Sequence, residues 1–171
     1  MKAGLRRAKA LGFTHALQVD ADGQHDVSDA PRFVAAAREN PTALVAGQPI
    51  FDETAPRSRL QARKITQFWA DLETGGKVIA DPLCGFRVYP VDATLALHVY
   101  GDAMDFDPEV AVRLAWSGAP VINLPTRVRY VSREEGGVSH FRLGRDNALI
   151  SIMHSRLCIE AMTRWVKGRL G

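Results

Sequence analysis

Hydrophobic and polar positions along the chain follow two alternating patterns: short, nearly continuous apolar runs, and longer segments in which apolar residues recur every three or four positions. The first pattern is typical of buried strands and the second of amphipathic helices. Gly12, Asn40-Pro41 and Gly118 stand where helices would end. The pattern predicts helices at residues 2–11, 28–40, 57–72, 107–118 and 142–167, strands at residues 15–19, 43–46 and 86–89, and one or two strands at residues 121–131.

Strands that alternate with helices indicate an α/β protein whose sheet is covered by helices on both faces. Sheets of this class usually begin with a strand, and their ligand crevice uses the first strands. This chain begins with a helix, so we expect one or two strand–helix units, roughly 30–80 residues, to be missing on its N-terminal side. A sheet edge left uncovered by such a gap favours self-association, so a homo-oligomer is one expected assembly.

Composition narrows the class of protein. The 171 residues are 46% hydrophobic and 24% charged, which is typical of one globular domain and excludes a disordered tail or a coiled coil. The net charge of +3 is unevenly distributed, because the positive excess lies in residues 138–171. No basic run with interleaved aromatic residues is present, so nucleic acid is not an expected partner. Two distant cysteines, Cys84 and Cys158, and the lack of an apolar leader segment predict a cytoplasmic protein.

The most informative stretch is DADGQHD, which directly follows the first predicted strand. Asp20 and Asp22 therefore stand at the C-terminal end of a strand, where open α/β sheets bind ligands. Two carboxylates so close in sequence repel each other unless a cation lies between them, and carboxylate oxygens favour Mg²⁺ or Mn²⁺. The alternative is an acidic turn in which Asp26 and Asp29 cap the next helix.

Four motifs taken together resemble those of one enzyme family. They are DADGQH at residues 20–25, DPLCGFRVY at 81–89, FDPE at 106–109 and GVSHFR at 137–142. The set resembles the family 2 glycosyltransferases with the GT-A fold, and within them the dolichyl-phosphate mannose synthase-like branch. This resemblance implies a mixed sheet covered by helices and a metal-dependent, inverting transfer from a nucleotide-sugar donor to a lipid or polyprenyl-phosphate acceptor. The family's N-terminal strand and nucleotide-base pocket have no counterpart in this sequence.

The resemblance also implies roles for individual residues. Asp22 would hold the divalent cation against the donor diphosphate, Asp20 would bind metal or ribose, and Gln24 would complete the shell. Asp107 would be the base that deprotonates an acceptor hydroxyl, with Glu109 as the second candidate. A lipid phosphate acceptor, already anionic, would need no strong base. Asp107 could instead be the N-cap of the helix that follows it.

Basic and polar residues elsewhere are candidates for binding phosphate. Arg59 and Arg63 lie four residues apart on one predicted helical face, although solvent-exposed charge gives the same pattern. Three further residues flank a Gly136-Gly137 hinge and could close over donor or acceptor phosphate, unless the segment is an ordinary surface turn. These are Arg133, Ser139 and His140, the last in a position where the family usually has lysine.

The predicted closing helix carries one narrow charged stripe, and most of its remaining circumference is apolar. Such a helix suits a membrane interface, which would make the chain a peripheral protein on the inner face of the cytoplasmic membrane. It equally suits packing against a domain or partner outside this chain. We therefore treat residues 142–171 as a C-terminal helix that follows a catalytic region at residues 1–141. The stripe consists of Arg156, Glu160, Arg164 and Lys167.

Two alternatives to an active glycosyltransferase stay open. A phosphatase of the haloacid-dehalogenase type begins with an apolar strand followed by DxDG and threonine. The sequence VDADG at residues 19–23 comes close to that motif, but Gln24 stands where the threonine is required. The other alternative is an inactive glycosyltransferase fragment that keeps the metal loop and lacks the strands that bind the donor.

Overall fold

The computed structural model describes residues 1–130 and 142–170, and a four-stranded sheet forms the core of its fold. The strands are β1 (His15–Gln18), β2 (Leu44–Phe51), β3 (Arg87–Pro90) and β4 (Val121–Val128). They lie in the order β1-β3-β2-β4, with β3 antiparallel to β1 and β2, and with β2 parallel to β4. The predicted mixed α/β sheet is therefore confirmed, and all four predicted strand segments are part of it.

The helices are α1 (Lys2–Ala10), α2 (Ala30–Glu39), α3 (Arg57–Thr74), α4 (Val91–Ala96), α5 (Phe106–Trp116) and α6 (Leu143–Leu170). Five of them were predicted. Helix α4 was not, because six residues directly after a strand are too few to show a helical period. Helix α2 begins later than predicted because a 3₁₀ turn precedes it, in which the Ser28 N–H donates to Asp26 over 3.0 Å.

Helices cover both faces of the sheet, as the sequence predicts. Successive residues of β2 point to opposite faces, so Leu44 and Ala46 belong to one apolar core and Val45 to the other. The larger core also contains residues of α1, α3, α5 and α6. The smaller core is closed by α2, where the Phe33 ring packs edge-on against Phe86 at 4.6 Å. Packing on both faces holds the strand ends, and the loops that follow them, in fixed positions.

Helix α6 packs against α3 and α5 and buries Ile150, Met153 and Leu157 in the larger core. Glu160 of its charged stripe faces α5, where Arg113 donates to the two oxygens of Glu160 over 2.8 and 2.9 Å. Part of the apolar surface of this helix therefore packs within the chain, and contact of the rest with a membrane or an outside partner stays a prediction. Periodicity shows where a helix is charged, but it does not show which apolar side meets the core of the same chain.

Strand β1 lies at one edge of the sheet and, in the part of the chain that the structure describes, pairs with β3 alone. Leu17 on this strand is 37% exposed. An open strand edge is a template for pairing with another chain. Self-association through this edge stays a prediction.

Candidate functional site

The loop that follows β1 carries the predicted metal-binding carboxylates and is fastened to the end of β4. Gly23 has a φ of +73°, in the left-handed region that favours glycine, and lets the chain turn back. Within the turn, the Gln24 N–H donates to Asp22 Oδ1 over 3.0 Å. The Gln24 carbonyl oxygen accepts from the Arg129 N–H over 3.0 Å, and His25 forms a β-bridge with β4. The backbone thus holds Asp22 near the C-terminal end of β1.

Asp107 lies beside this loop although it is distant in sequence. The Gln18 side-chain amide donates to Asp107 Oδ2 over 2.8 Å and to Asp20 Oδ1 over 3.3 Å. The Tyr89 hydroxyl donates to the other oxygen of Asp107 over 2.9 Å. The N-cap position of α5 belongs to Asp105, so Asp107 is not the helix cap that the sequence left open. The structure therefore brings the first candidate base next to one of the candidate metal ligands.

Two residues of the DPLCGFRVY motif, Gly85 and Arg87, contact Asp20 and Asp107. A Cβ atom at Gly85 would lie 2.0 Å from Asp20 Oδ2, so glycine leaves the room that this carboxylate occupies. Arg87 is fully buried and donates to the main-chain carbonyl oxygen of Asp107 over 2.9 Å. Its other N–H groups donate to the carbonyl oxygens of Asp81, Pro82 and Cys84. The motif thus positions both Asp20 and the start of α5.

Asp20, Asp22 and Asp107, hereafter the carboxylate cluster, lie close enough together for the charges of Asp22 and Asp107 to act on Asp20. Desolvation raises the pKa of Asp20, and the charges of Asp107 and Asp22 raise it further, against the hydrogen bond from Gln18. Within residues 1–130 and 142–170, no lysine or arginine forms an ion pair with any of the three. A bound cation would remove this repulsion.

The carboxylate cluster fits a divalent metal in its chemistry. Carboxylate oxygens are hard ligands that suit Mg²⁺ and Mn²⁺. The described residues contain no group of three or more His, Cys, Asp or Glu side chains that forms a ready-made metal site. Asp20 and Asp22 would therefore supply part of the ligand set, and oxygens of a bound phosphate or water would supply the rest. Desolvation lowers the pKa of the neighbouring His25, which keeps its ring neutral and free of repulsion toward a cation.

Arg59 and Arg63 lie on one side of α3, as predicted, but both stack on aromatic rings. The Arg63 guanidinium lies 5.1 Å from the Phe51 ring centroid and donates to Asp81 Oδ2 over 2.7 Å. The Arg59 guanidinium lies 5.6 Å from the ring centroid of Tyr130, which stacks on Phe51 at 5.9 Å. Because Asp81 engages Arg63, the predicted role of Arg63 in binding phosphate is not supported. Arg59 is exposed, and its role stays a prediction.

Glu109 faces away from the carboxylate cluster. Its side chain is fully buried, forms ion pairs of 2.8 Å with Arg113 and Arg156, and accepts from the Gly101 N–H over 2.8 Å. Burial raises the pKa of Glu109, but these partners outweigh burial and hold the pKa below its ordinary value of 4.5. A carboxylate without solvent access and with this many partners cannot reach a substrate. The structure therefore does not support the prediction of Glu109 as a second candidate base.

A cavity of about 420 Å³ opens beside the loop that carries Asp22. Its lining comes from residues 23–26, 50–52 and 127–129. Arg127 and Arg129 bring positive charge to the cavity, whereas Asp26 and Asp52 bring negative charge. The remaining predicted site residues lie outside the described residues, so their closing over a phosphate stays a prediction. These are Arg133, Ser139 and His140.

Sequence reasoning missed three residues that shape the site: Gln18, Gly85 and Tyr89. A signal for Gln18 was present, because it is a polar residue at the end of an apolar strand and directly precedes the acidic loop. A glycine among apolar residues is a signal of close approach, which Gly85 confirms. The sequence could not show what approaches it, since Asp20 meets Gly85 through tertiary structure.

The chain is similar in structure to a solved glycosyltransferase. The comparison structure is a crystal structure of glucosyl-3-phosphoglycerate synthase from Mycobacterium tuberculosis in complex with phosphoglyceric acid. The TM-score is 0.58 and the sequence identity is 16%. The similarity covers 91% of this chain and 54% of that chain, so this chain spans about half the length of the synthase. No protein-family model and no curated protein sequence matches the chain.

The fold is therefore that of the GT-A glycosyltransferases, in which a mixed α/β sheet is covered by helices. This confirms the predicted fold class. A likeness at 16% identity concerns the fold alone and does not support family 2 or the dolichyl-phosphate mannose synthase-like branch over other GT-A families.

Proposed function

We propose that this chain carries the catalytic site of a metal-dependent, inverting glycosyltransferase. It would move a sugar from a nucleotide-sugar donor to a lipid or polyprenyl-phosphate-type acceptor. The observation that carries this proposal is the carboxylate cluster at the C-terminal end of β1 in a GT-A fold. The resemblance of the DADGQH and DPLCGFRVY motifs to family 2, and within it to the dolichyl-phosphate mannose synthase-like branch, adds support.

Asp20 and Asp22 are the residues that would hold Mg²⁺ or Mn²⁺. A divalent cation at this place supplies neutralisation of the charge that develops on the departing nucleoside diphosphate. The Gln24 N–H orients Asp22, and the Gln18 amide orients Asp20 above Gly85. In this proposal Gln24 acts through its main-chain N–H, which holds the turn and Asp22 in place.

Asp107 is the proposed base for a hydroxyl acceptor. Both of its carboxylate oxygens accept hydrogen bonds, one from Gln18 and one from Tyr89, so the group has a single orientation. An inverting transfer needs a base on the face of the sugar opposite the leaving diphosphate. An acceptor that is already an anionic phosphate does not need to lose a proton. Asp107 would then only help to position the acceptor.

An anionic acceptor has support from two observations. Arg127 and Arg129 line the cavity beside the metal loop, where a phosphate group could be bound. The synthase with a similar fold has phosphoglyceric acid, an anionic molecule, bound in its crystal structure. We further infer a cytoplasmic location, on the inner face of the membrane for a lipid acceptor, because Cys84 and Cys158 are free thiols as in reducing compartments.

The test is a calorimetric titration of Mn²⁺ together with UDP, GDP or TDP into the purified chain and into Asp22→Ala. The matched control is Asp92→Ala, which removes a carboxylate 79% exposed on α4. We expect metal-dependent nucleotide binding in the chain and in the control, and loss of that binding in Asp22→Ala. The nucleotide that binds best would identify the class of donor.

Two results would contradict the proposal. Absence of binding in a chain that unfolds cooperatively would favour the inactive-fragment alternative. Hydrolysis of a generic phosphate ester by the same preparation, abolished in Asp20→Asn, would favour the phosphatase alternative instead.

A further inference from the structure

One side of α6 is exposed and carries no charge over five helical turns. Every residue on this outward side between positions 148 and 166 is exposed. Ile152, Ile159 and Met162 are 62%, 64% and 69% exposed. Exposed apolar residues occur singly on most proteins, but an uncharged surface of this length with several large apolar side chains marks an interaction site. The outward residues are Ala148, Ser151, Ile152, Ser155, Ile159, Met162, Thr163 and Val166.

Helix α3 extends this surface. Its Ile65, Phe68 and Leu72 recur at spacings of three and four residues and are 62%, 61% and 58% exposed. The two helices meet where Glu73 pairs with His154 over 2.7 Å. Ala70 of α3 and Met153 of α6 also lie in the same core, so the exposed sides of both helices face away from that core. We call the six side chains together the apolar face: Ile65, Phe68, Leu72, Ile152, Ile159 and Met162.

The positively and negatively charged side chains of these two helices differ in exposure. The exposed cations next to the apolar face are Arg57 and Lys64 on α3 and Arg145 on α6. All four acidic side chains of the two helices are buried or half-buried and have partners within the chain. The pairs are Asp71 with Gln67, Glu73 with His154, Asp146 with the Arg142 N–H, and Glu160 with Arg113.

We propose that the apolar face docks this chain on the surface of an anionic lipid bilayer. An apolar surface bordered by cations complements a layer whose headgroups are negative and whose interior is hydrocarbon. A second copy of the chain is a poorer partner, because a twofold contact through this face would bring the cations of Arg57, Lys64 and Arg145 toward their own copies. Among the described residues no helix is long and apolar enough to cross a membrane.

The experiment is co-sedimentation of the chain with vesicles of pure phosphatidylcholine and with vesicles enriched in phosphatidylglycerol. We expect binding to the second kind to exceed binding to the first by about tenfold. The double variant Phe68→Glu/Met162→Glu should lose binding to both. The matched control Leu11→Glu/Phe13→Glu places the same charges at residues 54% and 60% exposed after α1, and it should bind as the unchanged chain does.

Charge reversal tests the cations without touching an apolar residue. Lys64→Glu/Arg145→Glu changes two exposed side chains and should lower binding to anionic vesicles, with no change for neutral ones. The proposal is overturned if the chain binds neither kind of vesicle. It is also overturned if sedimentation velocity shows a dimer that Phe68→Glu/Met162→Glu converts to a monomer. Vesicle binding is measured without nucleotide, so its outcome is independent of the proposed transferase activity.

Discussion

Asp20 and Asp107 accept hydrogen bonds from the same side-chain amide, that of Gln18 at the end of β1. This shared donor connects the acidic loop after the first strand with the first turn of α5. One group of the pair is the candidate metal ligand and the other is the candidate base. One uncharged residue therefore contacts both carboxylates and links them to the end of β1.

We expect Gln18→Leu to weaken the site while leaving the fold intact. Leucine occupies a similar volume but donates to neither carboxylate, so Asp20 and Asp107 would lose a common restraint. Loss of a group that orients a metal ligand typically lowers metal affinity by about 10–100-fold. Calorimetric titration with Mn²⁺ measures this, and Gln48→Leu on the exposed part of β2 is the control. Unchanged Mn²⁺ affinity in Gln18→Leu would remove Gln18 from the site.

Gly85→Ala should displace Asp20. The new Cβ would meet the Asp20 carboxylate at 2.0 Å, and the motif segment that carries Gly85 is anchored by the buried Arg87. The flexible carboxylate would therefore move rather than the backbone, at a small cost in stability and with a loss of metal affinity of about 10–100-fold. Gly76→Ala is the matched control, because no atom lies within 4 Å of its new Cβ.

Thermal unfolding separates the two effects of Gly85→Ala. A melting temperature near that of the unchanged chain together with weak Mn²⁺ binding is the expected pair of results. A large drop in melting temperature with full Mn²⁺ affinity would mean that Gly85 serves packing and not the position of Asp20.

Local chemistry made part of the site visible in the sequence. Asp20 and Asp22 could be predicted because an apolar strand followed by two acidic residues is a pattern contained within a few positions. Asp107 was distinguishable from Glu109 only in three dimensions. Two residues apart on a helix, they point to different sides, so Asp107 meets β1 and Glu109 meets α6.

Element types were predictable for the same reason, since strands and helices of ordinary length show their periodicity locally. Which side of α6 faces the core was not predictable. Ile150 and Ile159 are equally apolar, but tertiary packing buries the first and leaves the second exposed. Partners of buried polar groups were also unpredictable. Nothing near Arg87 in sequence indicates that its N–H groups bind carbonyl oxygens of residues 81, 82, 84 and 107.

Glu109→Gln should destabilise the chain without altering the site directly. Removing one partner of a buried ion pair typically costs about 3–5 kcal/mol, because the remaining charges lose their compensation. Arg113 and Arg156 are the charges left behind. Chemical unfolding at pH 7 measures the loss, and Glu53→Gln, an exposed position, is the control.

The pH dependence of the same variant has a definite sign. Partners hold the folded-state pKa of Glu109 below the ordinary 4.5, so the stabilisation is present above pH 4.5 and is lost as the pH falls through the lowered value. The difference in unfolding free energy between the chain and Glu109→Gln should therefore shrink in acid. A difference that is independent of pH would mean that the carboxylate charge of Glu109 is not what stabilises the fold.

Glu73→Gln should have the opposite pH dependence. Glu73 is 3% exposed, and its Oε1 lies 2.7 Å from His154 Nδ1. Burial raises the pKa of Glu73 above 4.5, against the hydrogen bond and charge of His154. Between 4.5 and the raised value the folded state binds more protons than the unfolded state, so this group lowers stability as the pH rises through that window.

Glutamine does not titrate and can still accept a hydrogen bond from His154. We therefore expect Glu73→Gln to gain stability relative to the unchanged chain as the pH rises from 4 toward neutrality. Chemical unfolding across this pH range measures the gain, with the exposed Glu39→Gln as the control. A loss of stability in Glu73→Gln that grows with pH would instead show that the Glu73 carboxylate, paired with His154, stabilises the contact between α3 and α6.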